Sequence, residues 1–482
     1  MDYALAKLLT SLGTLRAELL APVDILIAVA VTIHVLLNKR DIGASTAWIG
    51  LAWLSPIFGG VLYVTFGINR VRRRARRLVD RRLGGARTGR AEARDWDGHL
   101  APLERAGGRI TGRSTLPNNS LSILENGDDA YPRMIAAIDA AQRTVALSSY
   151  IFRNDKAGGR FIEAAARAVA RGVEVRVLID GIGSGYLLSG AARALRRRRV
   201  PVGRFMHSFL PWRMPFLNLR THKKILVIDG RHGFTGGMNI ADENVLAGRP
   251  RHPVRDTHFV VEGPVVAQLA DAFARDWNFT TGEELDPALW IDVAPPARGE
   301  ARHAHARVVT SGPDNDIEKI EFLVLQAVAC ARERIRILTP YFLPDDRLIT
   351  ALGLAANRGI AVDIVIPERS NHRVVDWATR ATVAPLLADG VRIWRNKPPF
   401  EHSKLMVVDG IWCMVGSANW DMRSLRLNFE LNLELYDPEL AGRIEAMIGA
   451  RMAYRLGRAE IENRTLPVRL GEAVARLMLP YL

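Results

Sequence analysis

A chain of 482 residues has room for two or three domains, and a hydrophobic content of 48% is ordinary for a globular protein. Its formal net charge of +15 asks for an anionic partner, either nucleic acid, a membrane surface or an acidic substrate. The two cysteines, Cys330 and Cys413, lie far apart in apolar runs and exclude a disulfide framework or a cysteine-built zinc site.

Two apolar segments open the chain. Leu19 to Leu37 carries one acid, Asp24, and Thr46 to Ile68 carries no charge. Each can cross a hydrocarbon core of about 30 Å at about 1.5 Å per residue. Trp48, Trp53 and Tyr63 suit the interface, and Pro56, Gly59 and Gly60 are tolerated in membrane helices. Buried helices of a soluble core, or a cleaved signal peptide, are the alternatives. The length of the segments and the immediate second one favour a transmembrane hairpin over residues 1–70, with spans at 19–37 and 46–68.

Ten arginines and one acid, Asp80, follow between Arg70 and Arg90. A nucleic-acid enzyme spreads its charge along a groove, whereas charge concentrated beside an apolar segment points to anionic lipid headgroups, at about 1 kcal/mol per basic residue. We therefore expect a membrane partner and no nucleic acid. The same arginines place both tails on the cytoplasmic side of the membrane, although Lys39 and Arg40 in the short link run counter. Residues 71–119 read as a basic linker.

The remainder is one unit written twice. AIDAAQRTVALSSYIFRND and FIEAAARAVARGVEVRVLIDG in the first copy match AVACARERIRILTPYFLPDD and LITALGLAANRGIAVDIVIPE in the second. Each reads as helix, strand, loop, helix, strand, with Gly172 and Gly359 supplying helix C-termini. The expected fold class is α/β: two pseudo-symmetric domains, each a mixed sheet flanked by helices, spanning 120–282 and 307–482 with a linker at 283–306. The duplication predicts two equivalent sites related by a pseudo-two-fold axis.

The repeat extends into the chemistry. HKKILVIDGRHGFTGGMN contains His222, Lys224, Asp229, Gly236 and Asn239; HSKLMVVDGIWCMVGSAN contains His402, Lys404, Asp409, Gly416 and Asn419 at identical spacing. One H-x-K-x4-D arises by chance, but two matched copies do not. Histidine and lysine two apart on a strand share a face, so an imidazole and an ammonium reach one phosphate. Asn239 and Asn419 add phosphate-binding donors. Ile225, Val227, Leu405 and Val407 face away into the core. The lysines would repel a cation, so no metal is expected.

This double pattern is the signature of the phospholipase D superfamily, and the chain is similar over nearly its whole length to the bacterial cardiolipin synthases within it. RTHKKI from Arg220 and GSANWDMRSLRLNFEL from Gly416 carry the likeness. The resemblance implies a phosphatidyltransferase working without a cofactor. By analogy His222 attacks phosphatidylglycerol to form a phosphohistidine, and His402 protonates the departing glycerol. His402 then activates a second phosphatidylglycerol, and the products are cardiolipin and glycerol. Lys224 and Lys404 hold phosphate oxygens. It also implies an acid further along each half that orients that half's histidine: Asp256 for the first and Glu430 for the second. Asp229 and Asp409 complete the motifs and read as supports at the strand's end. Phe205 to Arg220, rich in aromatics and proline, reads as a loop that dips into the bilayer edge. A hydrolase of lipid or nucleic-acid phosphodiesters, using the same residues with water as acceptor, is the alternative; a non-catalytic scaffold would have lost part of one motif.

Overall fold

The structure, a computed structural model, describes residues 21–38, 42–67, 96, 98–186, 188–207, 219–292, 304–312, 316 and 318–477. It divides into two units, Met1–Leu78 and Val79–Leu482.

In the first unit, helix α1 (Ala21–Asn38) is the one helix among the described residues long and apolar enough to cross a membrane. The continuous second span expected over 46–68 is instead interrupted. Helix α2 (Ile42–Leu54) stops at Ser55, whose φ of −149° and ψ of 81° precede Pro56, and helix α3 (Pro56–Leu62) begins there. The proline ring drives the preceding residue out of the helical region, an effect that hydropathy alone does not register. The segments pack closely. A Cβ on Gly60 would stand 2.6 Å from Ile27 Cγ2. Trp53 Nε1 donates to Thr32 Oγ1 at 3.1 Å, and His34 Nδ1 meets the Tyr63 hydroxyl at 2.7 Å. Leu26, Ile33, Leu37, Phe58 and Val61 remain exposed on the outside. The arginine-rich stretch from Arg70 to Arg90 lies outside the described residues.

The second unit opens with helix α4 (Ala101–Thr111), in sequence expected to be linker. Its arginines and glycines disguise a docked helix: Leu100 and Leu103 are buried in the core of the second half. Buried Arg307 donates from Nε to Glu434 Oε2 at 2.7 Å and from Nη2 to the Glu104 carbonyl at 3.1 Å. A Cβ on Gly107 would stand 2.1 Å from that guanidinium, so the small residue admits the ion pair.

The first half then runs β1 (Leu116–Glu125), α5 (Asn126–Ala140), β2 (Thr144–Ser149), α6 (Lys156–Ala170), β3 (Glu174–Asp180), α7 (Gly190–Arg197), β4 (Val202–Phe205), β5 (Ile225–Ile228), β6 (His232–Gly236), β7 (Thr257–Glu262) and α8 (Val265–Thr281). The second runs β8 (Ala304–Ser311), α9 (Lys319–Cys330), β9 (Arg334–Leu338), α10 (Asp346–Asn357), β10 (Ala361–Pro367), α11 (Arg373–Ala388), β11 (Arg392–Asn396), β12 (Leu405–Val408), β13 (Trp412–Gly416), β14 (Glu430–Tyr436) and α12 (Pro438–Ala450). A short strand β15 (Tyr454–Arg455) and helix α13 (Leu466–Leu477) follow. Equivalent acids cap equivalent helices: Asp155 accepts from Gly158 N–H at α6, and Asp345 from Leu348 N–H at α10. Gly172 and Gly359, at φ of +85° and +89°, end both helices in the left-handed conformation.

These strands form one sheet, in the order β15-β11-β10-β9-β12-β13-β14-β8-β1-β7-β6-β5-β2-β3-β4. Outward from the antiparallel β1–β8 pair, the two halves repeat the same order, which is the signature of an internal two-fold. β2, β3 and β4 are parallel, as are β9, β10 and β11, and the strands nearer the centre are antiparallel. Helices α8 and α12 share one apolar core beneath both halves, which contains Ile225, Val227, Leu405 and Val407. α5, α6 and α7 cover the opposite face of the first half, and α9, α10 and α11 that of the second.

Candidate active site

Both histidines sit where the chain enters the hairpins β5–β6 and β12–β13. Asp229-Gly230 turns the first hairpin with φ of 54° and 70°, and Asp409-Gly410 turns the second with 52° and 65°. Such paired positive φ values define the tight turn that matches strand twist. The two carboxylates have a further task. Asp229 accepts from the N–H groups of Gln142, Arg143 and Thr144, and Asp409 from those of Arg332, Glu333 and Arg334. His99 Nε2 also meets Asp409 Oδ2 at 2.7 Å. Both acids therefore pin β2 and β9 from the far end of β5 and β12, a strand's length away from the histidines.

At the near end the halves exchange partners. His222 N–H donates to the Phe429 carbonyl at 2.8 Å beside the Thr221–Phe429 bridge, and His402 N–H donates to the Arg255 carbonyl at 2.7 Å beside the Glu401–Arg255 pair. One residue further on, His222 Nδ1 meets Glu430 Oε1 at 3.1 Å, and His402 Nδ1 meets Asp256 Oδ2 at 2.6 Å. The expected assignment of each acid to the histidine of its own half is thus corrected: both pairs cross. The sequence separations of 34 and 28 could not show this, because each acid opens the strand that runs beside the other half's histidine.

The same crossed contacts bring the two equivalent motifs of the duplication together. Lys224 feels both Glu430 and Asp256, and His402 feels both Lys404 and Lys224. With each imidazole held by the other half's carboxylate and Thr257 Oγ1 bonded to Ser403 Oγ, the two motifs face one another in one site. Burial lowers Lys224, and burial with repulsion from Lys224 brings Lys404 down to about 7. Burial and the Lys404 charge bring His402 down to about 4. Burial alone would raise the two carboxylates; Lys404 and His402 hold Asp256 below the usual range, and His222 and Lys224 do so for Glu430. With Nδ1 engaged by a carboxylate, each ring offers Nε2 to a reacting group. Lys224 Nζ donates to the His222 carbonyl at 2.6 Å, and Lys404 Nζ donates to the His402 carbonyl. Asn239 Oδ1 accepts from Ile151 N–H at 3.2 Å, while buried Asn419 Oδ1 has no hydrogen-bond partner among the described residues.

Several further side chains complete the pocket. The Tyr150 ring lies 4.1 Å from the His222 ring, with Lys224 Nζ 5.5 Å from its centroid. Asn428 Nδ2 is 3.3 Å from both His222 Nδ1 and Glu430 Oε1. Thr257 Oγ1 and Ser403 Oγ join the halves at 2.7 Å. Tyr150 was legible in principle, since Tyr341 holds its place in the second copy; Asn428 and the Thr257–Ser403 bond have no such echo. Residues 208–218, the centre of the expected bilayer-dipping loop, lie outside the described residues.

The matched Gly237 and Ser417 differ for a physical reason. Ser417 Oγ donates to Glu430 Oε2 at 2.6 Å, whereas a Cβ on Gly237 would stand 2.3 Å from Asp256 Oδ1. Aspartate is one methylene shorter, so its carboxylate lies against the backbone where the other half has room for a hydroxyl.

Comparison with known proteins agrees with this geometry. A family model described as "Cardiolipin synthase, PLD-like domain" matches residues 134–277 and 324–452. Cardiolipin synthase A of Pseudomonas aeruginosa is 34% identical over 462 residues, covering 93% of each chain. Major cardiolipin synthase ClsA of Bacillus subtilis is 31% identical over 497 residues, covering 98% of this chain and 100% of the relative. Phosphatidylserine synthase of Haemophilus influenzae Rd KW20 shares the fold, with a TM-score of 0.60 at 14% identity, over 79% of this chain and 100% of its own.

Ser417→Ala removes two hydrogen bonds, the one donated to the Glu430 carboxylate and the one accepted from Leu431 N–H, and should lower kcat/KM about ten-fold. Gly237→Ala should displace Asp256 from His402 and lower it by on the order of a hundred-fold or more, with a lower unfolding temperature as the buried carboxylate loses its partner. Equal small losses in both variants would contradict this account of the pair.

Proposed function

This chain belongs to the cardiolipin synthase family, a phosphatidyltransferase of phospholipids, and on that premise we propose a two-step exchange between two molecules of phosphatidylglycerol. His222 Nε2 attacks the phosphorus of the first lipid. The bond to the terminal glycerol oxygen breaks, that oxygen takes a proton from His402, and free glycerol leaves. The phosphatidyl group is then held on His222. His402 removes the proton from the terminal hydroxyl of a second phosphatidylglycerol, whose oxygen attacks the phosphorus and releases the imidazole. Atoms and charge balance, and no cofactor enters.

The observation that carries this reading is the crossed pair of histidine–carboxylate contacts around two buried lysines. Glu430 and Asp256 fix the tautomer and aim of each ring, as in other catalytic triads. Lys224 and Lys404 neutralise the equatorial oxygens of the transferring group. A His402 at about 4 is neutral in the empty site. An arriving phosphodiester brings one negative charge between the two lysines and raises the basicity of His402 toward that needed to carry a proton.

Membrane association follows from the family and from α1. The finer topology belongs to the proposal: α1 and the interrupted α2–α3 arm form a hairpin through the bacterial inner membrane. The arginines between Arg70 and Arg90 rest on anionic headgroups, and the catalytic unit works on the cytoplasmic side.

Purified protein incubated with phosphatidylglycerol as the only lipid should yield cardiolipin and equimolar glycerol by mass spectrometry, and His222→Ala and His402→Ala should abolish both. Phosphatidic acid with glycerol, and no cardiolipin, would show that water is the acceptor. The Lys404 value also fixes a pH dependence. Its ammonium form is lost as pH rises through about 7, so kcat/KM in the free enzyme should fall above that pH. Lys404→Arg, where it retains activity, should remove that alkaline limb; an unchanged profile would assign the limb to another group.

A further inference from the structure

The C-terminal helix α13 is built inside out. Leu466, Leu470 and Val474, four residues apart and therefore on one stripe, are 66%, 57% and 60% exposed, while Glu472 on the other side is 2% exposed. A helix that merely completes a soluble core buries its leucines and exposes its glutamate. Here Glu472 forms the inward anchor: Arg464 Nη1 donates to its Oε2, and Arg380 Nη1 of α11 lies 3.8 Å from its Oε1. Ala475 packs beside Val375 and Ala378 of α11. On the same helix pair, α11 exposes Trp377 and Val374.

We propose that α11 and α13 form an interfacial face on the catalytic unit that rests on an anionic bilayer. Charge names the occupant. Within 369–388 and 464–477 the exposed ionisable groups include Arg369, Arg373, Arg469 and Arg476, whereas the acids are Asp376, half-buried and accepting from Ser370 N–H, and buried Glu472. Leucine, valine and tryptophan flanked by arginine are what the headgroup boundary accepts. The face also adjoins the chemistry. Tyr341 packs against the cluster formed with Val375, Ala378 and Ala475, its ring is 6.0 Å from that of Phe400, and Phe400 is 6.1 Å from His402. A bilayer bound here lies on the His402 side of the site, so that an amphiphile reaches it with its chains still shielded. This contact is additional to the anchor formed by the first unit.

The test uses the full chain, with Cys330→Ser so that an environment-sensitive fluorophore on Val474→Cys is the single exposed label. In vesicles of phosphatidylglycerol and phosphatidylcholine, its emission should shift to the blue. A nitroxide carried near the lipid headgroup should quench it, and aqueous iodide should not. A water-like emission quenched by iodide overturns the proposal. So does a buried emission that lipid-borne nitroxide cannot reach, which would mean that a second copy or another segment of this chain covers the face. In parallel, the combined variant Trp377→Ser, Leu470→Ser, Val474→Ser changes exposed side chains only. It should raise the apparent KM for bilayer phosphatidylglycerol about five-fold or more while leaving turnover of a monomeric short-chain phosphatidylglycerol unchanged. Equal losses on both substrates overturn the proposal.

Discussion

Each motif imidazole is held by a carboxylate that the other half of the chain supplies, and the architecture follows from that exchange. A buried carboxylate without a cation or donor is strongly destabilising. Asp256 and Glu430 are both fully buried; beside local donors, Thr257 N–H for the one and Ser417 Oγ with Asn428 Nδ2 for the other, each gains its imidazole partner only where the halves reach across. The single sheet, closed at its centre by β1 and β8, fixes the halves in the register that this exchange needs. The Asp-Gly turns and their backbone contacts then hold the far ends of β5 and β12, so that the near ends present His222 and His402 in one pocket.

That pocket is electrostatically incomplete when empty. Lys224 and Lys404 are buried beside two carboxylates already committed to histidines, and burial makes both lysines easier to deprotonate than in water. An anion with oxygens to distribute between them relieves the strain on every member, which is how a site of modest size discriminates in favour of a phosphodiester.

Much of this was legible in the sequence because it depends on local spacing. The helix-strand repeats, the C-terminal glycines at Gly172 and Gly359 and the matched histidine, lysine and asparagine positions are properties of short segments. Long-range pairing was less accessible. Asp256 and Glu430 stand out in sequence as acids downstream of each motif, but which histidine each one meets does not, since distance along the chain carries no information about which strand lies beside which. Composition misled at α4, where arginine and glycine concealed the buried Leu100 and Leu103. Hydropathy misled at Ser55, where Pro56 breaks an otherwise uncharged segment. The outward leucines of α13 escaped notice for a different reason: an amphipathic stripe looks the same in sequence whether it faces the core or the solvent.

The crossed pairing is the claim on which the rest stands, and selective 15N-histidine NMR tests it most directly. In Asp256→Asn, the account predicts that the His402 ring resonances and their titration shift while those of His222 stay in place, and that Glu430→Gln does the reverse. If Asp256→Asn perturbs His222 and leaves His402 unchanged, each half orients its own histidine and the single composite site is wrong.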